Sequence, residues 1–126
     1  MKIEYFCPLW GSSEIPFNDF ISKVIEAGYD GVEMSFPSGI VSDRDKQAAA
    51  LRTAGLKLIA QHWETENPDP KTHPVEYEVR LRHAAGATPE FISSQTGRDF
   101  FPFEDNLKIL AVADKVGEET GVKIVH

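Results

Sequence analysis

Ala27-Gly28-Tyr29-Asp30-Gly31-Val32-Glu33-Met34 decides the fold, because it joins the stop of a helix to the start of a strand. A glycine directly after an amphipathic run supplies the left-handed residue that ends a helix, and the apolar residues behind it favour extended chain. The same grammar recurs in Ala54-Gly55-Leu56-Lys57-Leu58-Ile59-Ala60 and in Thr120-Gly121-Val122-Lys123-Ile124-Val125. A looser copy, Ala85-Gly86-Ala87-Thr88-Pro89-Glu90-Phe91-Ile92, opens its strand with proline. Spacings of roughly thirty residues between these glycines match successive βα units.

The intervening segments read as helices. Phe17, Phe20, Ile21, Val24 and Ile25 recur at helical spacing, with Pro16 suited to the first turn. Ser42-Asp43-Arg44-Asp45 resembles a cap before Ala48-Ala49-Ala50-Leu51. Pro74 opens a third helix, on which Glu76/Arg80 and Glu78/Arg82 are pairs four residues apart on a solvated face. A fourth runs from about Phe103 to Thr120 with Phe103, Leu107, Leu110 and Ala111 as its apolar stripe. Strands fall near Lys2–Cys7, Gly31–Ser35, Leu56–Gln61, Glu90–Ser94 and Val122–His126. This β-α-β-α-β-α-β-α-β order predicts an α/β fold with a mainly parallel sheet, in a single domain spanning 1–126. The sequence stops inside its fifth strand. Two architectures fit: an open flavodoxin-like sheet, or the first half of a (β/α)8 barrel, which takes roughly 250 residues. The receiver version of the open sheet wants acids after strands one and three, where Cys7-Pro8 and Gln61-His62 stand.

Composition narrows the function classes. Of 126 residues, 13 are Lys or Arg and 20 are Asp or Glu, a formal charge of −7. That balance argues against binding a phosphate backbone, so no nucleic acid is expected. No apolar run is long enough for a membrane span, and Met1-Lys2-Ile3-Glu4-Tyr5 has no signal-peptide core, so no membrane partner is expected. A lone cysteine, Cys7, points to a reducing cytoplasm.

In parallel α/β folds ligands bind at the carboxyl ends of the strands. Those ends carry Trp10, Glu33, Gln61-His62-Trp63-Glu64, Gln95 with Arg98, and His126. Indoles pack on the apolar faces of sugars, while carboxylates and amides bond their hydroxyls. Glu33 is either a site acid or a structural ion pair, and His62 either touches ligand or is a hydrogen-bonded core histidine. Trp10 and Trp63 are either core filler or a sugar platform. Arg98 either meets an anion or pairs with Asp99 or Glu104. His73 and His83 read as surface residues. No CxxC or HExxH spacing occurs, so no residue is assigned to a metal.

Gly28-Tyr29-Asp30-Gly31-Val32-Glu33, Gly55-Leu56-Lys57-Leu58, Ser94-Gln95-Thr96-Gly97-Arg98-Asp99 and Glu119-Thr120-Gly121-Val122-Lys123-Ile124-Val125-His126 together resemble the xylose-isomerase-like sugar phosphate isomerase/epimerase family. The resemblance implies a (β/α)4-β N-terminal half of a TIM barrel, and aldose–ketose isomerisation or epimerisation through an enediolate stabilised by a divalent metal (Mn2+, Mg2+ or Zn2+). In that family the metal is held by acids and a histidine on strands five to eight, so none is expected to bind tightly to this chain. Carried over residue by residue, Glu33 and His62 are the expected catalytic residues. Trp10, Trp63, Glu64, Gln95, Arg98 and His126 are the expected contacts to a small sugar or sugar phosphate. The expected 126-residue protein has little or no turnover, whether a short product or a piece of a longer chain. A non-catalytic carbohydrate-binding or self-assembling module is the alternative, with a homo-oligomer formed through open sheet edges.

Overall fold

The protein, described over residues 1–126 by a computed structural model, alternates strands and helices without exception. They are β1 (Phe6–Pro8), α1 (Phe17–Glu26), β2 (Gly31–Met34), α2 (Val41–Thr53), β3 (Lys57–His62), α3 (His73–Ala85), β4 (Phe91–Ser94), α4 (Phe103–Thr120) and β5 (Ile124–Val125). The five strands form one parallel sheet in the order β1-β2-β3-β4-β5. A flavodoxin-like sheet would place β1 inside β2, so the sequential order excludes it and leaves the half-barrel.

The helix stops work as their sequence indicates in three copies. Gly28, Gly55 and Gly121 sit at φ +78°, +72° and +71°. The looser copy differs: Gly86 has φ −62°, and Thr88 takes the left-handed conformation at φ +53°. In the deciding stretch, the Asp30 carboxylate accepts the Tyr5 N–H at 2.8 Å and the Asp30 N–H donates to the Tyr5 carbonyl at 2.9 Å. Gly31 follows because a Cβ there would lie 2.4 Å from the Phe6 ring and 2.6 Å from the Lys57 carbonyl oxygen.

Alternation along the strands sorts their side chains onto two faces. Val32, Met34, Leu58, Ala60, His62, Ile92 and Ser94 are buried, on the face the helices cover. Phe20, Ile21 and Val24 of α1, Leu51 of α2, Leu81 of α3, and Ile109, Ala113 and Val116 of α4 complete that core. Glu33, Ile59, Gln61, Phe91 and Ser93 point to the opposite, concave face and are half-buried. The strand register puts Pro8, Glu33, Ile59 and Phe91 in one layer, with Gln61 and Ser93 in the layer above. This concave face corresponds to the lumen of a barrel.

Several local expectations are corrected. β1 is shorter than Lys2–Cys7, and β5 spans two residues. Ser42 lies inside α2, whose first turn has no side-chain cap. On α3 only Glu78 pairs with its partner four residues on, at 2.7 Å from Arg82; Arg80 donates instead to the Pro37 carbonyl at 3.1 Å. On α4 the buried stripe is Ile109, Ala113 and Val116, while Phe103 and Leu107 are exposed. Lys115 and Glu119 turn toward Glu78 and Arg82 of α3, so Phe103 and Leu107 occupy the flank away from α3. His73 is buried against Tyr77 and Phe101 rather than exposed, with Nδ1 bonded to the Asn67 carbonyl at 2.8 Å. His83 is half-buried. No helix is long and apolar enough to cross a membrane.

Candidate functional site

A cavity of about 1220 Å3 opens at the carboxyl ends of β1 to β4 and runs into the gap between α1 and α2. Its mouth is formed by Trp10, Gln61, Trp63, Ser93 and Gln95, and its apolar floor by Leu9, Ile15, Phe17, Met34, Phe36 and Ala50. Asp43, Lys46 and Gln47 of α2 edge its outer end. Trp10 is 77% exposed and Trp63 46%, so neither is core filler. Both indoles stand free beside a cluster of amides and a hydroxyl. Gln61 and Ser93 belong to this mouth and to the concave face at once, one layer above Glu33.

The expected catalytic pair does not come together. Glu33 sits on the concave face, and His62 on the helix-covered face, because their positions differ in strand parity once β2 and β3 are in register. His62 is 2% exposed. Its Nδ1 meets the Ser94 hydroxyl at 3.1 Å and its Nε2 the Thr65 hydroxyl at 2.7 Å, and its ring lies edge-on to Tyr77. Burial, helped by the charges of His73 and Arg80, lowers its pKa from 6.5 to about 4, so the ring is neutral across the physiological range. It is a hydrogen-bonded, buried histidine, and it also lines the cavity. Glu33 has neither a cation nor a hydrogen-bond donor on its carboxylate, so the structural ion pair is not formed.

The remaining expected contacts divide. Trp10, Trp63 and Gln95 line the cavity. Glu64 is half-buried and accepts the Trp63 backbone N–H at 2.9 Å. Arg98 lies outside the cavity, 5.7 Å over the Phe100 ring, and forms no ion pair with Asp99 or Glu104. His126 shares the helix-covered side with Ser94 and lines a shallow depression beside α4, not the main cavity. Its Nδ1 is hydrogen-bonded to the Thr96 hydroxyl. Gln61, Ser93 and Ser35 also line the cavity, though the sequence placed Gln61 only at a strand end and assigned none of the three a contact. Sequence reasoning missed Tyr77, whose hydroxyl bonds Ser94 at 2.8 Å and Thr96 at 3.0 Å.

No three His, Cys, Asp or Glu side chains within these 126 residues converge as a metal centre would need. The concave face offers Glu33 as one carboxylate among neutral oxygens, a donor set short of the several oxygen or nitrogen ligands a divalent ion takes. The residues present therefore do not fit a metal site on their own.

Solved structures share this fold. A D-psicose 3-epimerase crystallised in the presence of D-fructose superposes with a TM-score of 0.70 at 15% identity, over 97% of this chain and 51% of its own. A sugar phosphate isomerase/epimerase from Parabacteroides distasonis ATCC 8503 gives 0.64 at 13% identity, over 98% and 51%. A racemase from Streptomyces coelicolor A3(2) with bound magnesium gives 0.58 at 12% identity, over 97% and 34%. No protein-family model matches the chain, and no curated protein matches it. The chain thus spans about half the length of the two isomerase-type structures and about a third of the racemase. Its fold is half of a (β/α)8 barrel of the kind seen in sugar epimerases and isomerases.

Proposed function

We propose that the protein binds a small polyhydroxylated ligand, a sugar or sugar phosphate, at the strand-end cavity, and that it is half of the scaffold of an isomerase or epimerase. The observation that carries this reading is the pairing of two exposed indoles, Trp10 and Trp63, with the amides of Gln61 and Gln95 and the Ser93 hydroxyl around one mouth. Indoles cover the C–H faces of a sugar ring, and amides exchange both donor and acceptor bonds with its hydroxyls. The fold shared with a D-psicose 3-epimerase and a sugar phosphate isomerase/epimerase supports the same ligand class.

Glu33 is the group we assign to proton transfer. Glu33 does not itself line the cavity; what supports the assignment is an unpaired carboxylate on the concave face, one register layer below Gln61 and Ser93, which do. His62 serves as a positioning residue, since it is buried, neutral and engaged on both nitrogens. One carboxylate without a second acid–base group or a metal stabilises the charge of an enediolate poorly, so these 126 residues alone bind without appreciable turnover. We place this chemistry in a reducing cytoplasm, where the free Cys7 stays a thiol.

A second copy, held through the open edges β1 and β5, is the partner we assign. Both edges are unpaired in the sheet, and Phe103 and Leu107 of α4 are exposed apolar side chains.

Calorimetric titration with a panel of hexoses, pentoses and their phosphates tests the binding reading, and an isomerase assay with Mn2+ or Mg2+ tests the rest. Binding that is lost in Trp10→Ala/Trp63→Ala with the fold intact supports the site. Absence of binding by every panel member overturns it, and ordinary turnover by the 126-residue chain overturns the assignment of little activity.

A further inference from the structure

Four side chains at the ends of β3, β4 and β5, joined by Tyr77 of α3, form an unbroken string beneath the cavity mouth. His62 Nδ1 meets Ser94 Oγ at 3.1 Å, Ser94 Oγ meets the Tyr77 hydroxyl at 2.8 Å, and the Tyr77 hydroxyl meets Thr96 Oγ1 at 3.0 Å. Thr96 Oγ1 then bonds His126 Nδ1. His62, Ser94 and Tyr77 are buried, so no solvent competes for these links along most of the string. The Ser94–Thr96 separation of 3.4 Å is the long side of the hydroxyl triangle and does not rival the two shorter links through Tyr77.

Proton bookkeeping makes the string a two-state object. Four links need four protons, and the three hydroxyls of Ser94, Tyr77 and Thr96 supply one each. The fourth proton must come from an imidazole Nδ1. If His62 Nδ1 donates, every hydroxyl points toward His126, whose Nδ1 accepts and whose proton sits on Nε2. If His126 Nδ1 donates, every hydroxyl points the other way and His62 carries its proton on Nε2, toward Thr65. Both rings protonated on Nε2 would leave one buried link without a proton. Both protonated on Nδ1 would force two donors against each other.

We propose that His62, Ser94, Tyr77, Thr96 and His126 form one proton-ordered chain in which one of the two imidazoles, and not both, carries its proton on Nδ1, and that this chain is the positioning device that holds Gln95 at the cavity mouth. Ser94 and Thr96 flank Gln95 and both turn away from the mouth into the chain, so Gln95 is left facing the cavity. The Gln95 N–H donates to the His62 carbonyl at 2.9 Å, which ties the same residue to β3. The Gln95 arm deepens the ligand-binding reading above, whereas the tautomer arm is independent of it.

The test is nitrogen-15 NMR of the imidazoles in the 126-residue protein near pH 8, above the ordinary histidine pKa of about 6.5, where both rings are neutral. The expected spectrum shows opposite tautomers for His62 and His126. A spectrum in which both rings carry the proton on the same kind of nitrogen overturns the proposal, and it needs no variant. Thr96→Val, isosteric at a half-buried position, severs the link to His126. It is expected to move the His126 Nδ1 resonance to that of a solvated ring and to speed Gln95 amide exchange about tenfold, the equivalent of one lost hydrogen bond. Thr96→Ser, which keeps the hydroxyl, is expected to retain the wild-type spectrum and exchange rate. An unchanged His126 resonance in Thr96→Val, or equal Gln95 exchange in the two variants, refutes the device. Both readouts are taken without ligand, so their failure is separate from a failure to bind sugar.

Discussion

Acid should destabilise this protein in a window set by one buried ring. His62 is held neutral, its pKa lowered from 6.5 to about 4 chiefly by desolvation. The unfolded chain binds a proton at this residue that the folded chain refuses, so unfolding takes up a proton between pH about 6.5 and 4. Stability therefore falls as pH falls through that window, by up to about 1.4 kcal/mol per pH unit, and levels off for this group below about 4. A shift of this size amounts to about 3 kcal/mol, a large share of the ~5–15 kcal/mol expected of a domain. Carboxylates held low by ion pairs, Glu4 by Lys2 and Lys57 and Glu78 by Arg82 and Lys115, act in a different range. Their contribution is present above the ordinary carboxylate pKa and is lost as pH falls through their lower folded values. His62→Gln keeps a donor and an acceptor for Ser94 and Thr65 but cannot take up the proton. Urea unfolding followed by far-ultraviolet circular dichroism at half-unit steps from pH 7 to 4 measures the slope directly. The wild type should lose most of its stability gain across that range, and His62→Gln should lose far less. The residual slope belongs to His83 and His126, whose pKa values are also lowered by burial. Equal slopes in the two proteins would refute the reasoning.

Three further outcomes follow from the packing and the edges. Gly31→Ala forces a methyl against the Phe6 ring and the Lys57 carbonyl, and should cost about 1–3 kcal/mol in the same urea assay. Ile109→Ala empties a site that is 0% exposed between α4 and the sheet, and should cost about 2–5 kcal/mol. Light scattering after gel filtration should show a dimer or larger species, with Phe103→Asp/Leu107→Asp shifting it toward monomer without loss of helical signal. A monodisperse, stable wild-type monomer counts against edge pairing.

The fold was legible because helix stops and strand starts are written in adjacent residues. Gly28, Gly55 and Gly121 each end a helix as their context indicates, and the strands behind them follow. Which face a strand residue takes was not legible, because it depends on register between strands far apart in sequence. Gln61 and His62 are neighbours, yet one faces the concave side and the other the core. A shift of one residue in the reading of β3 would have exchanged their roles. The same ignorance of neighbours explains α4, where Phe103 and Leu107 are as apolar as Ile109 but are exposed while Ile109 is buried. His73 was misread because its burial comes from Phe101, nearly thirty residues on, and from Tyr77. The candidate site was partly legible. The free indoles and Gln95 are where strand-end composition put them, whereas Arg98 and His126 fell outside once the loop after β4 and the end of β5 took their places.

The central claim is that the cavity mouth at the strand ends is a polyol site. Titration of monosaccharides into nitrogen-15-labelled protein reads it residue by residue. The account predicts saturable shifts at the Trp10 and Trp63 indole N–H groups and at the Gln61 and Gln95 side-chain amides, with α3 and α4 unmoved. Shifts centred elsewhere, or none for any sugar or sugar phosphate at millimolar concentration, would contradict it.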